Sequence, residues 1–305
     1  MAWDRDCDVH ETEEKVKVSN LYIPITRLRH KATYGEGIKN TKSYLSFRFH
    51  IRKWLKSICL SSKGEFMNIA IIFAGGTGRR MNTKTKPKQF LELHGKPIII
   101  YTLEHFEQHE LIDGIIVVCV EGWIDYCQSL VNKFHIEKVK AIIRGGKTGM
   151  LSRFEGVKKA ADLYPEDTIC LIHDGVRPII DHDIISHNIE SVEKFGSAVT
   201  VSPAIETIAV QGFDNKIAQI IDRSKCQIAK APQSFRLGKL LNAHQKAIES
   251  GINDCIDTAY LMQLQGNDIY MVEGSAENIK ITTPTDFYIF RALMDVRENL
   301  QIFGE

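Results

Sequence analysis

Long apolar runs are missing from this 305-residue chain. No uncharged stretch reaches the ~20 residues that a membrane-spanning helix needs. The first twenty residues carry Asp4, Asp6, Asp8, Glu11, Glu13 and Glu14 without an apolar core, so they do not read as a secretory signal. An excess of one charge sign is missing too: 39 Lys/Arg face 38 Asp/Glu. That excludes a chain-wide polycation for nucleic acid and an acid-rich disordered chain. The seven cysteines are odd in number and include no CxxC pair. Zinc ribbons and a disulfide framework fit poorly. Cys119 and Cys170, set inside apolar runs, fit buried thiols in a reducing cytoplasm. Eleven histidines come without HExxH or a Cys/His cluster, and no GxSxG elbow is present. A dedicated transition-metal site and an α/β-hydrolase are therefore not expected.

What is present is an ordinary globular mix, 44% hydrophobic and 25% charged, long enough for one large α/β domain with an appendage. The chain changes character near Met67. Residues 1–66 hold 13 Lys/Arg against 8 Asp/Glu, which leaves 26 against 30 for the remainder. In that first segment Leu45, Phe47, Ile51, Trp54, Leu55 and Ile58 recur at roughly helical spacing, with Arg48, Arg52, Lys53 and Lys56 between them. The pattern predicts a basic amphipathic helix over about 44–60, either packed as an appendage or able to touch an anionic membrane surface. Met67 runs straight into a strand and is an alternative start of the protein.

From Met67 strands and helices alternate. Asn68–Phe73 and Gly114–Val120 are short apolar runs suited to strands buried on both faces, and Val139–Ile143, Thr168–Ile172 and Ala198–Val201 also read as strands. Between them Pro97–His109, Trp123–Phe134, Leu151–Leu163 and Ile184–Phe195 show helical periodicity. The fold class is α/β: a Rossmann-like, doubly wound, mostly parallel sheet over residues 67–305. Residues 203–232 break the rhythm. Short β-prone pieces around Gly212-Phe213-Asp214-Asn215 predict a protruding β-arm, suited either to a dimer contact or to a local lid. A helix over Leu237–Glu249, a strand over Asp268–Val272 and a helix over Asp286–Glu298 complete the pattern.

The chemistry concentrates in loops after the strands. Phe73-Ala74-Gly75-Gly76-Thr77-Gly78-Arg79-Arg80-Met81 follows the first strand, with Lys86-Pro87-Lys88-Gln89-Phe90 downstream. Glycines there expose backbone N–H groups as an anion cradle, and the cations add donors for phosphates. The spacing is neither a Walker loop nor a dinucleotide fingerprint. Asp174, just past an apolar strand, sits where ligands of open α/β sheets bind, and a lone carboxylate beside phosphates suits Mg²⁺.

These motifs, in this order, resemble those of the cytidylyltransferases that act on small polyol phosphates, 2-C-methyl-D-erythritol 4-phosphate and D-ribitol 5-phosphate. The glycine loop matches first. His173-Asp174-Gly175-Val176-Arg177-Pro178, Ala231-Pro232-Gln233-Ser234-Phe235 and Glu277-Asn278-Ile279-Lys280-Ile281-Thr282 match further motifs, and the likeness spans about residues 67–298. It implies transfer of CMP from CTP to a polyol phosphate with release of pyrophosphate, with Mg²⁺ as cofactor. By the same resemblance, Ala74, Gly75, Gly76, Thr77, Gly78, Gly146 and Ser152 would bind the nucleotide. Arg80, Lys88 and Lys280 would be catalytic, Asp174 would take the metal, and Arg177, Thr207 and Arg223 would bind the acceptor. Thr207 and Arg223 fall in the arm and would act across a homodimer.

The chain departs from the family pattern at Gly149, where an arginine is usual, and at Ala231 and Ile256, where threonines are usual. Lys147 or Arg153 could compensate for Gly149. The Ala74-Gly75-Gly76 loop, Val176, Gln233-Ser234-Phe235-Arg236 and Lys280-Ile281-Thr282-Thr283 favour ribitol 5-phosphate. Methylerythritol phosphate is the alternative acceptor, and a non-catalytic nucleotide-binding scaffold is the reading from another class.

Overall fold

The computed structural model describes residues 15–18, 21–24, 67–76 and 86–303. The basic helix expected over 44–60 lies outside the described residues, and so do Thr77, Gly78 and Arg80. The chain falls into two units, Met1–Glu65 and Phe66–Glu305. In the first, β1 (Lys15–Val18) and β2 (Leu21–Pro24) pair antiparallel, with Lys15 opposite Pro24.

In the second unit β3 (Asn68–Ala74) comes first. A short 3₁₀ turn at Lys88–Phe90 and the small pair β4 (Glu92–Leu93) and β5 (Lys96–Pro97) then lead into α1 (Ile98–Gln108). Next come β6 (Gly114–Cys119), α2 (Ile124–Lys133), β7 (Val139–Arg144), α3 (Gly149–Leu163), β8 (Ile169–Asp174), α4 (His182–Phe195) and β9 (Ser197–Pro203). The hairpin of β10 (Ile208–Gln211) and β11 (Ile217–Ile221) follows, then the long β12 (Gln227–Arg236). The unit closes with α5 (Leu237–Glu249), α6 (Thr258–Leu264), β13 (Met271–Glu273) and α7 (Pro284–Phe303).

Seven strands form one sheet in the order β13-β9-β12-β8-β3-β6-β7. β12 runs antiparallel to both neighbours, whereas β8, β3, β6 and β7 run parallel. This is the mostly parallel, doubly wound sheet that the strand–helix alternation predicts. Successive strand residues point to opposite faces. Ile69, Ile71, Ile116, Val118 and Cys170 therefore pack under α3, α5 and α6, while Ala70, Ile72, Ile115, Val117 and Leu171 pack under α1, α2 and α4. Both faces are covered, which is why these strands read as unbroken apolar runs. Gly156 lets α3 lie close on the sheet: a Cβ there would stand 2.6 Å from Ile71 Cγ2 and 2.9 Å from Val118 Cγ2. Among the described residues no helix is long and apolar enough to cross a membrane.

The structure redraws three local boundaries. Thr148 accepts a hydrogen bond from Leu151 N at 3.1 Å and caps α3, so the helix begins at Gly149 rather than Leu151. The pairing of β13 with β9 begins at Met271, not at Asp268. The arm is shorter than residues 203–232. Gln227 already pairs with Pro203, and Lys230–Phe235 are buried in the central sheet between β8 and β9. Pro232 has no N–H for the ladder, and the pairing with β9 shifts register between Ala229 and Gln233. Such an irregularity re-aims side chains, and it lies at the end of the sheet where β8 stops.

A buried polar network fixes this part of β12. Asn188 Nδ2 on α4 donates to Thr200 Oγ1 (3.0 Å) and to the Ile184 carbonyl (2.9 Å). Ser234 Oγ donates to Asn188 Oδ1 (2.9 Å), and Thr200 Oγ1 donates to the Pro232 carbonyl (2.9 Å). All three side chains are fully buried. A network satisfied in this way specifies one arrangement of α4, β9 and β12.

Candidate active site

A cavity of about 1090 Å³ opens at the C-terminal ends of β3, β6, β7 and β8, continues along the start of β12, and reaches Lys280. Open α/β sheets bind ligands at this end because the strand-to-helix loops converge there. Ala74, Gly75 and Gly76 line it after β3. Gly145, Gly146 and Ser152 line it after β7. Of the site residues expected from the sequence, Lys88, Asp174, Arg177 and Lys280 also reach this cavity. Thr207 and Arg223 do not line it. Both are exposed on the arm, where Arg223 donates to the Ile205 carbonyl at 2.7 Å.

Asp174 is the centre of the site. It is the last residue of β8, followed by Gly175 in a turn so tight that a Cβ there would lie 2.9 Å from the Phe73 carbonyl oxygen. Lys280 Nζ meets Asp174 Oδ1 at 2.7 Å, and Arg177 Nε meets Oδ2 at 2.9 Å. Arg177 also donates to the Asn278 carbonyl at 2.8 Å. Burial by itself would raise the Asp174 pKa. The Lys280 ammonium and the Arg177 guanidinium outweigh it and hold the carboxyl well below the usual carboxylate range. Neighbouring His173 is buried and held neutral, pushed down to about 3 by desolvation, with Nε2 3.2 Å from the Arg177 carbonyl oxygen.

Lys88 sits in the 3₁₀ turn after Pro87, and its Nζ donates to the Ile281 carbonyl at 2.8 Å. The glycine-loop side and the Lys280 side of the cavity are thus linked through one ammonium. Gln89, buried beside it, donates to the Ala74 carbonyl and ties the turn to the end of β3. Ser152 Oγ lies 2.8 Å from the Thr148 carbonyl oxygen and 3.1 Å from that of Gly146. It spends its proton on the backbone and keeps its lone pairs for an incoming donor.

The departures from the family pattern also find their places. Gly149 and Arg153 are i and i+4 on α3, one above the other on the same face. The Arg153 side chain folds back, so that a Cβ on Gly149 would lie 3.6 Å from its Nη1. Its Nη2 donates to the Cys255 carbonyl at 2.7 Å, and its buried Nε meets no acceptor. Gln233 clamps α6: Nε2 donates to Asp257 Oδ2 at 3.0 Å and Oε1 accepts from Ala259 N at 2.8 Å, while Asp257 Oδ1 caps Tyr260 N. Ala231 and Ile256 give the cavity wall apolar surface, and Ile256 is 85% exposed.

Among the described lining residues seven Lys/Arg stand against four Asp/Glu. A concave site with this imbalance concentrates polyanions. Lys230 is one of the seven, and sequence reasoning missed it; the only signal was its position directly before Ala231-Pro232-Gln233. No group of three or more His, Cys, Asp or Glu able to hold a metal exists among the described residues. The ionised carboxylate of Asp174 is nevertheless a hard oxygen donor of the kind that Mg²⁺ accepts when phosphates complete its shell.

The ion-pair centre gives a direct test. Asp174→Asn leaves the largely buried Arg177 and the exposed Lys280 without their anion and should lower stability by about 1–3 kcal/mol. Because the folded carboxyl is depressed, this difference is fully present above about pH 4, the ordinary carboxylate range, and shrinks as the pH falls below it. Urea unfolding of both proteins at pH 7 and pH 3 measures it.

Residues 68–296 match the family model described as IspD, 2-C-methyl-D-erythritol 4-phosphate cytidylyltransferase. Over 238 residues the chain is 53% identical to a ribitol-5-phosphate cytidylyltransferase of Streptococcus agalactiae serotype V, covering 78% of this chain and 99% of that one. It is 40% identical over 229 residues to a 2-C-methyl-D-erythritol 4-phosphate cytidylyltransferase of Clostridium acetobutylicum, covering 75% of this chain and 97% of that one. Among solved structures, the 4-diphosphocytidyl-2C-methyl-D-erythritol synthase of Anaerococcus prevotii superposes with a TM-score of 0.65 at 26% identity, covering 75% of this chain and 96% of that one. With its strand-end cavity, its glycine loop and its Asp174 centre, the chain belongs to this cytidylyltransferase family of nucleotidyltransferases.

Proposed function

We propose that this protein transfers CMP from CTP to D-ribitol 5-phosphate, giving CDP-ribitol and pyrophosphate. The observation that carries the choice of acceptor is the 53% identity to a ribitol-5-phosphate enzyme across nearly its whole length, against 40% to a methylerythritol-phosphate enzyme. A phosphate oxygen of the acceptor attacks the α-phosphorus of CTP. The bond from that phosphorus to the bridging oxygen breaks, and pyrophosphate leaves with the electron pair. The protein's task is to hold the two phosphorylated substrates in line and to offset the growing negative charge. Gly75 and Gly76 let the backbone approach the triphosphate. Lys88 and Lys280 meet the reacting phosphates from opposite sides, and Arg80, by the family resemblance, holds the outer ones. Ser152 accepts from the amino group of cytosine. Asp174 would hold Mg²⁺ together with the triphosphate, and the ion would neutralise phosphate charge. Among the described residues Cys119, Cys127, Cys170 and Cys255 are buried free thiols, which suits a reducing cytoplasm.

Pyrophosphate release with CTP and Mg²⁺ tests the reading, with ribitol 5-phosphate and methylerythritol 4-phosphate offered in parallel. Turnover is expected with ribitol 5-phosphate; turnover with methylerythritol 4-phosphate alone would overturn the choice of acceptor. Lys88→Ala should cut kcat by roughly 100-fold or more in a folded protein, and an undiminished rate would remove Lys88 from the chemistry.

Arg153 takes over the role of the arginine that Gly149 lacks. Its Nε has no partner, its guanidinium lies over Gly149, and its site adjoins Ser152. Arg153→Ala should raise the KM for CTP about tenfold, the loss of one charge-assisted hydrogen bond. Adding Gly149→Arg to that variant should recover part of the loss. An unchanged CTP KM in Arg153→Ala would show that the site works without it.

The arm joins two copies of the chain. Phe213 (93% exposed), Ile205, Ile217 and Ile220 present apolar surface there, and Thr207 and Arg223 are remote from their own cavity. In the dimer they meet the acceptor phosphate in the partner subunit. Light scattering at assay concentration should give twice the chain mass. Arg223→Ala should raise the KM for the acceptor and leave that for CTP unchanged. A monomer with full activity would overturn this arrangement.

A further inference from the structure

The cavity has two halves, set by strand order. The loops after β3 and β7, with Gly75, Gly76, Gly146 and Ser152, lie on one side of β8. On the other side of β8 lies β12, and the segment from Ala276 to Lys280 is tied to it: Asn278 Nδ2 donates to the Ala231 carbonyl at 2.7 Å. Asp174, at the end of β8, stands between the halves. Gln233 pairs with Ile172, so Lys230–Pro232 run alongside the end of β8 and into the cavity wall.

On this second half Lys230 is only 9% exposed. Its Nζ donates to the Ala276 carbonyl at 2.9 Å and lies 3.4 Å from that of Asn278. It forms no ion pair with a carboxylate among the described residues. Arg177 donates to the same Asn278 carbonyl. Two cations therefore converge on one carbonyl; Asp174 pairs with Arg177, and among the described residues no carboxylate pairs with Lys230. Burial, reinforced by the nearby guanidinium, holds the lysine below its ordinary pKa. A buried ammonium without an anion is costly, and an apolar side chain of similar length would cost the fold less.

We infer that Lys230 is a binding residue for the acceptor substrate, its remaining N–H donating to an oxygen of the phosphorylated polyol beside Arg177. The inference rests on the proposed reaction but names a contact that the family motifs do not include. A phosphorylated polyol, rich in acceptor oxygens and anionic at one end, supplies the anion that the ammonium lacks.

The competing role is structural: Lys230 clamps the segment at Ala276–Asn278 through its carbonyls. The two roles move different quantities. In Lys230→Met the stem survives and the charge is lost. If Lys230 binds the acceptor, the KM for ribitol 5-phosphate rises at least tenfold, the KM for CTP stays within about twofold, and the Tm holds or rises. If Lys230 is only a clamp, the Tm falls and both KM values rise together, which overturns the inference; so does an unchanged acceptor KM. Lys230→Arg serves as the second variant and should recover acceptor binding in part, because it restores the charge. Calorimetric titration of ribitol 5-phosphate and of methylerythritol 4-phosphate into the CTP-bound native and variant proteins separates this inference from the reading beneath it. Native protein that binds an acceptor which Lys230→Met binds as well overturns the role of Lys230 alone. Native protein that binds neither overturns both.

Discussion

One carboxylate holds the candidate site together. Asp174 ends the central strand and takes a cation on each oxygen, Lys280 from a distant part of the chain and Arg177 from three residues on. Without that anion the cavity would gather cations that repel one another across a few ångströms. With it, the segment carrying Lys280 is drawn to the strand end, and Lys88 is brought onto the same segment through the Ile281 carbonyl. The arrangement contains a tension that suits the proposed reaction. In that reaction, phosphates entering the cavity would compete with Asp174 for the same two cations. Each cation they took would free an oxygen of the carboxylate, which would then hold Mg²⁺.

That exchange needs walls that do not move, and the packing supplies them. The strands are clamped between two helix layers. α3 lies so near the sheet at Gly156 that a methyl group would collide with Ile71 and Val118. Interiors packed to this density transmit displacement instead of absorbing it. On the other side, the network of Asn188, Thr200 and Ser234 sets the place of β12, and Gln233 locks the start of α6 against it. The residues that face the cavity are therefore the exposed ends of a rigid frame.

How much of this the sequence reveals depends on the length of chain over which each cause acts. The buried strands are legible because both faces are apolar, so five or six residues suffice to declare them. The loop at Gly75-Gly76 and the pair Asp174 and Arg177 are legible because their chemistry is contiguous. The end of the arm is not. Lys230–Pro232 read as the last part of the arm, and only their burial between β8 and β9 makes them sheet. Arg153 was legible as a candidate, yet its fit depends on an i, i+4 relation with a glycine that has no side chain to obstruct it. Lys230 was illegible because its significance is the lack of a counter-ion, and a missing partner leaves no pattern in a sequence.

The two halves of the cavity are built from different materials, and this bears on how the family changes substrate. Where the nucleotide is proposed to bind, the wall combines the backbone of the glycines after β3 and β7 with side chains, Ser152 and Arg153 among them. Backbone N–H groups present the same donors whatever the neighbouring residues are, so that half can serve one nucleotide through much sequence drift. Where the acceptor is proposed to bind, the wall is side chain: Lys230, Ala231, Ile256 and Arg177. Exchanging a threonine for Ala231 or Ile256 removes a hydroxyl donor and acceptor, and a lysine at 230 adds a charged donor one residue away. A pocket altered in this way gives up short-range hydroxyl contacts and gains a longer, stronger one. In the proposed reading, acceptor contacts fall to a few side chains beside β8, while the nucleotide half carries its own change, with Arg153 over Gly149.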